Sequence, residues 1–264
     1  MFATDPRLLK RLEPVVHRVL IVDPNVASAR MLGDVLKGLG ARQLAFEPEE
    51  RRALEMARDM EPGLIFTERS GVRLDGESFT RRLRRSNYAC RQAPVIMVTG
   101  DATATSIKGA RDAGVHEFLR KPFTAGDLLK RVEIVALKPR DWIEAVQYVG
   151  PDRRRFNSGE YSGPRKRKAD SGEGPTTAPQ AMDRALRILR SAVTHFEADP
   201  AQALRAMTEQ CSQLKKQAVV GEPRMAMAVA GLELALTSGT PSKELLANAC
   251  AEVIRAFGGI KDAA

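Results

Sequence analysis

Between residues 18 and 137 a short apolar run is followed by an amphipathic stretch, five times over. The runs are Arg18–Val22, Arg42–Phe46, Gly63–Thr67, Pro94–Thr99 and Glu117–Leu119. The stretches between and after them are Val26–Leu39, Glu49–Met60, Gly76–Arg85, Thr103–Ala113 and Ala125–Leu137, each with apolar residues at helical spacing. Strands that are apolar throughout are buried on both faces, and strands joined by helices run parallel. The pattern therefore predicts an α/β domain: a doubly wound (βα)5 parallel sheet with helices on both sides. An additional helix is expected ahead of it, at Pro6–Val16. Sheets of this kind bind ligands at the carboxyl ends of their strands. Asp23, Glu68 and Thr99 stand at three such ends, and Lys121 follows the fifth strand.

The rest of the chain divides in two. Residues 138–179 lose the periodicity and are rich in Pro and Gly, which reads as a linker or tail. Within them, residues 148–168 hold seven Lys/Arg against two acidic residues, a large share of the +9 net charge of the 264-residue chain. That block suits anions, nucleotides, nucleic acid or acidic lipid. It contains a repeat thirteen residues apart: Tyr148-Val-Gly-Pro-Asp-Arg-Arg-Arg and Tyr161-Ser-Gly-Pro-Arg-Lys-Arg-Lys. From 180 to 258 the chain is helical again, with candidates Ala181–Phe196, Pro200–Gln217, Arg224–Thr237 and Ser242–Phe257 separated by Pro-containing turns. An all-α antiparallel bundle is the expected packing. The predicted domains are thus 1–137, a basic linker 138–179, and a helical domain 180–264.

Composition excludes several classes. The three cysteines, Cys90, Cys211 and Cys250, are far apart and form no CxxC, which argues against a disulfide framework or zinc site and for a reducing cytosol. No apolar run approaches the roughly 18 residues of a membrane span, and Met1–His17 lacks a signal-peptide core. A soluble, cytoplasmic protein without an integral membrane segment is expected. No Ser/His/Asp set, P-loop or metal cluster is legible, so the expectation is a non-catalytic protein without a cofactor or metal.

Residues 18–137 resemble the response-regulator receiver family of chemotaxis-type phospho-switches. Val19-Leu-Ile-Val-Asp23 is similar to the acidic first strand, and Glu68 with Asp75-Gly76 to the acceptor region. Pro94-Val-Ile-Met-Val-Thr99-Gly100 is similar to the hydroxyl strand, Phe118 to the switch aromatic, and Lys121-Pro122-Phe123 to the lysine and the peptide after it. In the family two acids follow the first strand and bind magnesium together with an acceptor aspartate. Here the pair is Asp23-Pro24, and the acceptor position is Glu68. Proline has no side-chain ligand for a metal, and magnesium demands near-octahedral oxygen coordination. Phosphoryl transfer relies on that metal to neutralise charge. The resemblance therefore implies a receiver with a degenerate phosphoacceptor site at Glu68, Asp23, Thr99 and Lys121. Glu68 either sets an active-like conformation or pairs with Lys121 to hold an inert site together.

The tail that follows resembles the arginine-rich tail of CheY-like cyclic di-GMP effectors. Arginine forks suit phosphate and the guanine edge, and tyrosine stacks on bases. The resemblance implies that Tyr148, Arg153, Arg154, Arg155, Tyr161, Arg165 and Arg167 would fold around cyclic di-GMP. The alternatives are a solvated basic linker, or a scaffold whose tail meets only acidic protein, membrane or nucleic-acid surfaces. A second basic group, Arg81, Arg82, Arg84 and Arg85, is read as a solvated helix face. The helical domain faintly resembles a histidine phosphotransfer domain with Ser212 where the histidine would stand, and His195 lies elsewhere. The expected protein is a signalling adaptor, a pseudo-receiver working with a histidine kinase, chemotaxis or cell-cycle component. The sequence leaves open whether it forms a homodimer.

Overall fold

Strands with apolar centres need cover on both sides, and the computed structural model supplies it. It describes residues 5–153, 178–218, 223–239 and 241–258. The first unit begins with α1 (Pro6–Val16), capped by the Asp5 side chain. Then β1 (Arg18–Val22), α2 (Val26–Gly38), β2 (Gln43–Glu47), α3 (Glu50–Met60) and β3 (Leu64–Thr67) follow. A small hairpin, β4 (Ser70–Gly71) and β5 (Leu74–Asp75), leads into α4 (Gly76–Arg85). After it come β6 (Val95–Thr99), α5 (Ala104–Ala113), β7 (Glu117–Arg120) and α6 (Ala125–Leu137). All ladders of the main sheet are parallel, in the order β2-β1-β3-β6-β7.

The strands alternate between two cores. Val19, Ile21, Leu64, Phe66, Ile96, Val98 and Leu119 face α1, α2 and α6. Leu20, Val22, Ile65, Val95, Met97 and Phe118 face α3, α4 and α5. The chain order reverses between β1 and β3, the switch point at which such sheets open a crevice for ligands. Helix starts are well specified there. Asn25 caps α2, Asp75 accepts the backbone N–H groups of Glu77 and Ser78, and Thr124 with Asp127 forms a capping box on α6.

The stretch expected to be a linker carries structure in its first part. A two-stranded sheet of β8 (Trp142–Glu144) and β9 (Val149–Pro151) follows α6, and Val146, Tyr148 and Val149 are buried. The charge and the Pro/Gly content of the whole stretch mask a local apolar run, Trp142 to Val149, that is rich enough to be drawn into a core. Arg84 is a second correction. It lies on α4 among exposed arginines, yet is 1% exposed rather than part of a solvated face.

The second unit comprises Glu144–Tyr148 and four helices. These are α7 (Ala178–Thr194), α8 (Pro200–Ala218), α9 (Pro223–Thr237) and α10 (Lys243–Gly258), close to the predicted spans. Each packs on the next and α10 returns to α7, closing a bundle around Leu189, Met207, Leu214, Leu232, Leu246 and Val253. Its Glu144–Tyr148 segment is held by α8. Gln202 Nε2 donates to Glu144 Oε1 at 2.8 Å, and Gln210 Nε2 to the Glu144 carbonyl at 3.4 Å. Among the described residues no helix is long and apolar enough to cross a membrane.

Candidate functional site

The crevice at the switch point is built by backbone pairing before any side chain contributes. The N–H of Glu68 donates to the Val22 carbonyl at 2.8 Å, which brings Asp23 and Glu68 to adjacent strand ends. Across β6, the N–H of Lys121 donates to the Thr99 carbonyl at 2.8 Å. Gly76 is required beneath them, because a Cβ there would stand 2.2 Å from the Glu68 carbonyl oxygen.

Lys121 closes the site. Its Nζ donates to Glu68 Oε2 at 2.7 Å and to Asp23 Oδ2 at 3.0 Å. The other oxygen of each carboxylate is also engaged. Glu68 Oε1 accepts the N–H of Arg69 at 2.8 Å, and Asp23 Oδ1 accepts the N–H of Asn25 at 2.8 Å. Asp23 and Glu68 are mostly buried, at 7% and 13% side-chain exposure, while 26% of Lys121 is exposed. Burial pulls the Lys121 ammonium pKa down, but hydrogen bonds and charges from Glu68 and Asp23 outweigh it, leaving the pKa raised.

Thr99 is 4% exposed; its side chain makes no bond to the Lys121, Glu68 and Asp23 side chains, and its Oγ1 accepts the N–H of Asp101 at 3.3 Å. Phe118 is 3% exposed and sits in the α3–α5 core. Sequence reasoning missed Arg69, the residue after Glu68. Its guanidinium meets Glu77 Oε1 at 3.3 Å and Asp101 Oδ2 at 2.5 Å, tying the strap after β3 to the loop after β6. A lone arginine followed by a turn carries no signal for a partner 32 residues away.

The residues do not fit the magnesium ion that the resemblance implies. All four carboxylate oxygens of Asp23 and Glu68 already accept hydrogen bonds. The second acidic position is Pro24, and it is packed so closely on the β4–β5 hairpin that a Cβ at Gly71 would lie 2.4 Å from its Cγ. Among the described residues no group of three or more His, Cys, Asp or Glu is arranged to hold a metal. The cluster is a closed ion triad with two carboxylates on one ammonium.

The tail residues separate. Tyr148 is 8% exposed, so it presents no free ring face to a base in this structure. Arg153 is paired with Asp112 at 2.9 Å. Burial pushes the Asp112 pKa up, but the guanidinium groups of Arg153 and Arg111 together outweigh it and leave it lowered. Arg154, Arg155, Tyr161, Arg165 and Arg167 lie outside the described residues. In the helical unit Ser212 is exposed on α8, and His195 Nδ1 meets the Ser191 carbonyl at 2.9 Å while Gln147 faces its Nε2 at 3.1 Å.

Residues 19–133 match the family model of the response regulator receiver domain. The chain is 29% identical over 116 residues to the chemotaxis protein CheY of Pseudomonas aeruginosa, covering 44% of this chain and 93% of that protein. It is 34% identical over 116 residues to the KDP operon transcriptional regulatory protein KdpE of Escherichia coli, covering 44% of this chain and 49% of that one. It thus spans about half the length of that transcriptional regulator. Among solved structures, the chemotaxis protein CheY4 of Vibrio cholerae matches at 22% identity with a TM-score of 0.42, over 46% of this chain and 98% of that one. The stretch from 19 to 133 is a response regulator receiver domain of two-component signalling.

Proposed function

We propose that this receiver domain works without taking up phosphate, as the signalling half of a non-catalytic adaptor whose helical unit engages a protein partner. The observation that carries this reading is the ion triad. Lys121 is shared by Glu68 at 2.7 Å and Asp23 at 3.0 Å, where an acceptor aspartate and a metal would otherwise operate. The longer glutamate puts its own charge on the lysine that would meet a phosphoryl group. Without a metal to neutralise charge, the in-line transfer loses its main electrostatic support. The partner class is a signalling protein such as a kinase, chemotaxis or cell-cycle component. Ser212, lacking a nucleophilic nitrogen, makes the helical unit a docking module and not a phosphate carrier.

The test is incubation with acetyl phosphate and magnesium followed by intact-mass measurement. No gain of a phosphoryl group is expected, and Glu68→Asp alone should not restore it because Pro24 remains. A phosphoryl group mapped to residues 19–133 would overturn the proposal. For the tail, the tandem repeat supports an anionic dinucleotide as ligand only through the residues beyond Arg153, since Tyr148 is buried. Calorimetric titration with cyclic di-GMP beside GTP and mixed single-stranded DNA decides between a selective site and a basic linker. Binding in proportion to ligand charge means a linker.

A further inference from the structure

The amino ends of β6 and β7, at the opposite edge of the sheet from Glu68, border a hollow of about 210 Å³. At about 30 Å³ per water it has room for on the order of seven waters. Its walls include Pro94, Ile134, Val135 and Trp142, and its polar residues are Gln92, His116, Glu117, Lys138 and Arg140. The hollow lies wholly within the first unit.

His116 gives the hollow its chemistry. The residue is 9% exposed. Its Nδ1 faces two donors, the Val95 N–H at 3.3 Å and Arg84 Nη2 at 3.1 Å. Two donors on Nδ1 assign the ring proton to Nε2. That N–H has no hydrogen-bond partner among the described residues, and it is not sealed from solvent on a ring that lines the hollow. The Glu117 carboxylate on the lining meets Arg131 at 3.1 Å and Arg140 at 4.0 Å, and Lys138, at an exposed position, brings an ammonium to the same lining. Burial, then the charges of Arg84 and Arg140, keep the His116 pKa well below its ordinary value, consistent with a positive local field. Trp142 is held by Arg84 and Arg91, whose guanidinium carbons lie 5.5 and 5.7 Å from its ring centroid. The indole therefore stands as a fixed wall.

We propose that this hollow binds a small planar carboxylate. One of its oxygens takes the Nε2–H of His116, its charge is met by Lys138, and its apolar body lies against Ile134, Val135 and Trp142. An unpartnered donor open to the hollow, the Lys138 ammonium and an apolar wall are the three features such a ligand needs. The site would give a receiver domain an input that does not pass through Glu68, and it stands whether or not that residue takes up phosphate.

Trp142 is the chain's one tryptophan, so its emission reports on this site alone. The full chain is titrated with sodium benzoate, with sodium acetate and benzyl alcohol as charge-only and ring-only controls. Each response is corrected by the same addition to free N-acetyltryptophanamide. Saturable binding of benzoate is expected with a Kd on the order of 1 mM, in the range open to so small a ligand. Lys138→Ala, at an exposed position, should weaken it about fivefold. His116→Asn keeps an acceptor where Nδ1 stands and removes the Nε2–H, and should weaken it about tenfold. If His116→Asn does not fold, Lys138→Ala decides. A linear, free-tryptophan-like response overturns the proposal. So does equal affinity for either control, or unchanged benzoate affinity in Lys138→Ala.

Discussion

Replacing Lys121 by Ala, Glu68 by Ala, and both together isolates the interaction that closes the receiver site. At 2.7 Å and an effective dielectric of about 20, the Coulomb attraction of the pair is about 6 kcal/mol. Desolvation offsets most of it, because Glu68 is 13% exposed and Lys121 26%. The pair falls between an exposed bridge, worth under about 1 kcal/mol, and a fully buried one, whose breakage costs roughly 3–5. The two single changes are not equivalent. Glu68→Ala leaves Lys121 bonded to Asp23, so the expected loss is about 1 kcal/mol. Lys121→Ala leaves two mostly buried carboxylates facing each other without a cation, so about 3 kcal/mol is expected. The double variant should lose about 2 kcal/mol, which is about 2 less than additivity demands. Denaturant unfolding read at Trp142, which lies in the receiver unit, measures all three. Losses that add to within about 0.5 kcal/mol would refute the reasoning. The sign with pH follows from the raised Lys121 pKa. The pair's contribution is fully present below the lysine's ordinary value of 10.5 and is lost as pH climbs through the raised one. Native protein should therefore shed this increment in alkali, and Lys121→Ala should have none to shed.

His116 predicts acid sensitivity. Burial, Arg84 and Arg140 hold its pKa well below 6.5, so the unfolded chain takes up a proton that the folded chain refuses. Stability should fall as pH drops below about 6.5, by up to about 1.4 kcal/mol per pH unit until the folded pKa is reached. His116→Asn should flatten that slope between pH 7 and 5, and parallel curves for the two proteins would count against it. Arg84→Ala should cost roughly 3–5 kcal/mol in the same denaturation assay. It strips donors from the carbonyls of Gly114 at 3.0 Å, Arg91 at 2.6 Å and Ala93 at 2.9 Å. Arg82→Ala, whose partner Glu50 is met at the surface, should cost under about 1 kcal/mol; equal losses for the two would show that Arg84 is not the buried one.

The cadence of apolar runs and amphipathic stretches was enough to determine the five parallel strands, the helices on both faces and the extra α1. Those features rest on local periodicity and on short connections that admit few topologies. It also determined which residues stand at the strand ends, because the carboxyl end of a strand is a position in the sequence. Asp23, Glu68 and Lys121 were legible for that reason. What those residues do to one another was decided only by the tertiary structure. Lys121 could meet Glu68, Asp23 or neither until 2.7 and 3.0 Å contacts were formed across 53 and 98 residues of chain. Arg69 found Asp101, and Arg84 turned inward, for the same reason. On α4 the four arginines are chemically alike, and only the helix's rotation against β6 and β7 puts Arg84 beside Thr80 and Leu83 in the buried face. Tyr148 is the converse case. Its sequence neighbourhood is basic and turn-rich, which signals solvent, but the apolar run from Trp142 to Val149 carries it into a core, and burial is a property of what packs around a side chain and not of its neighbours along the chain.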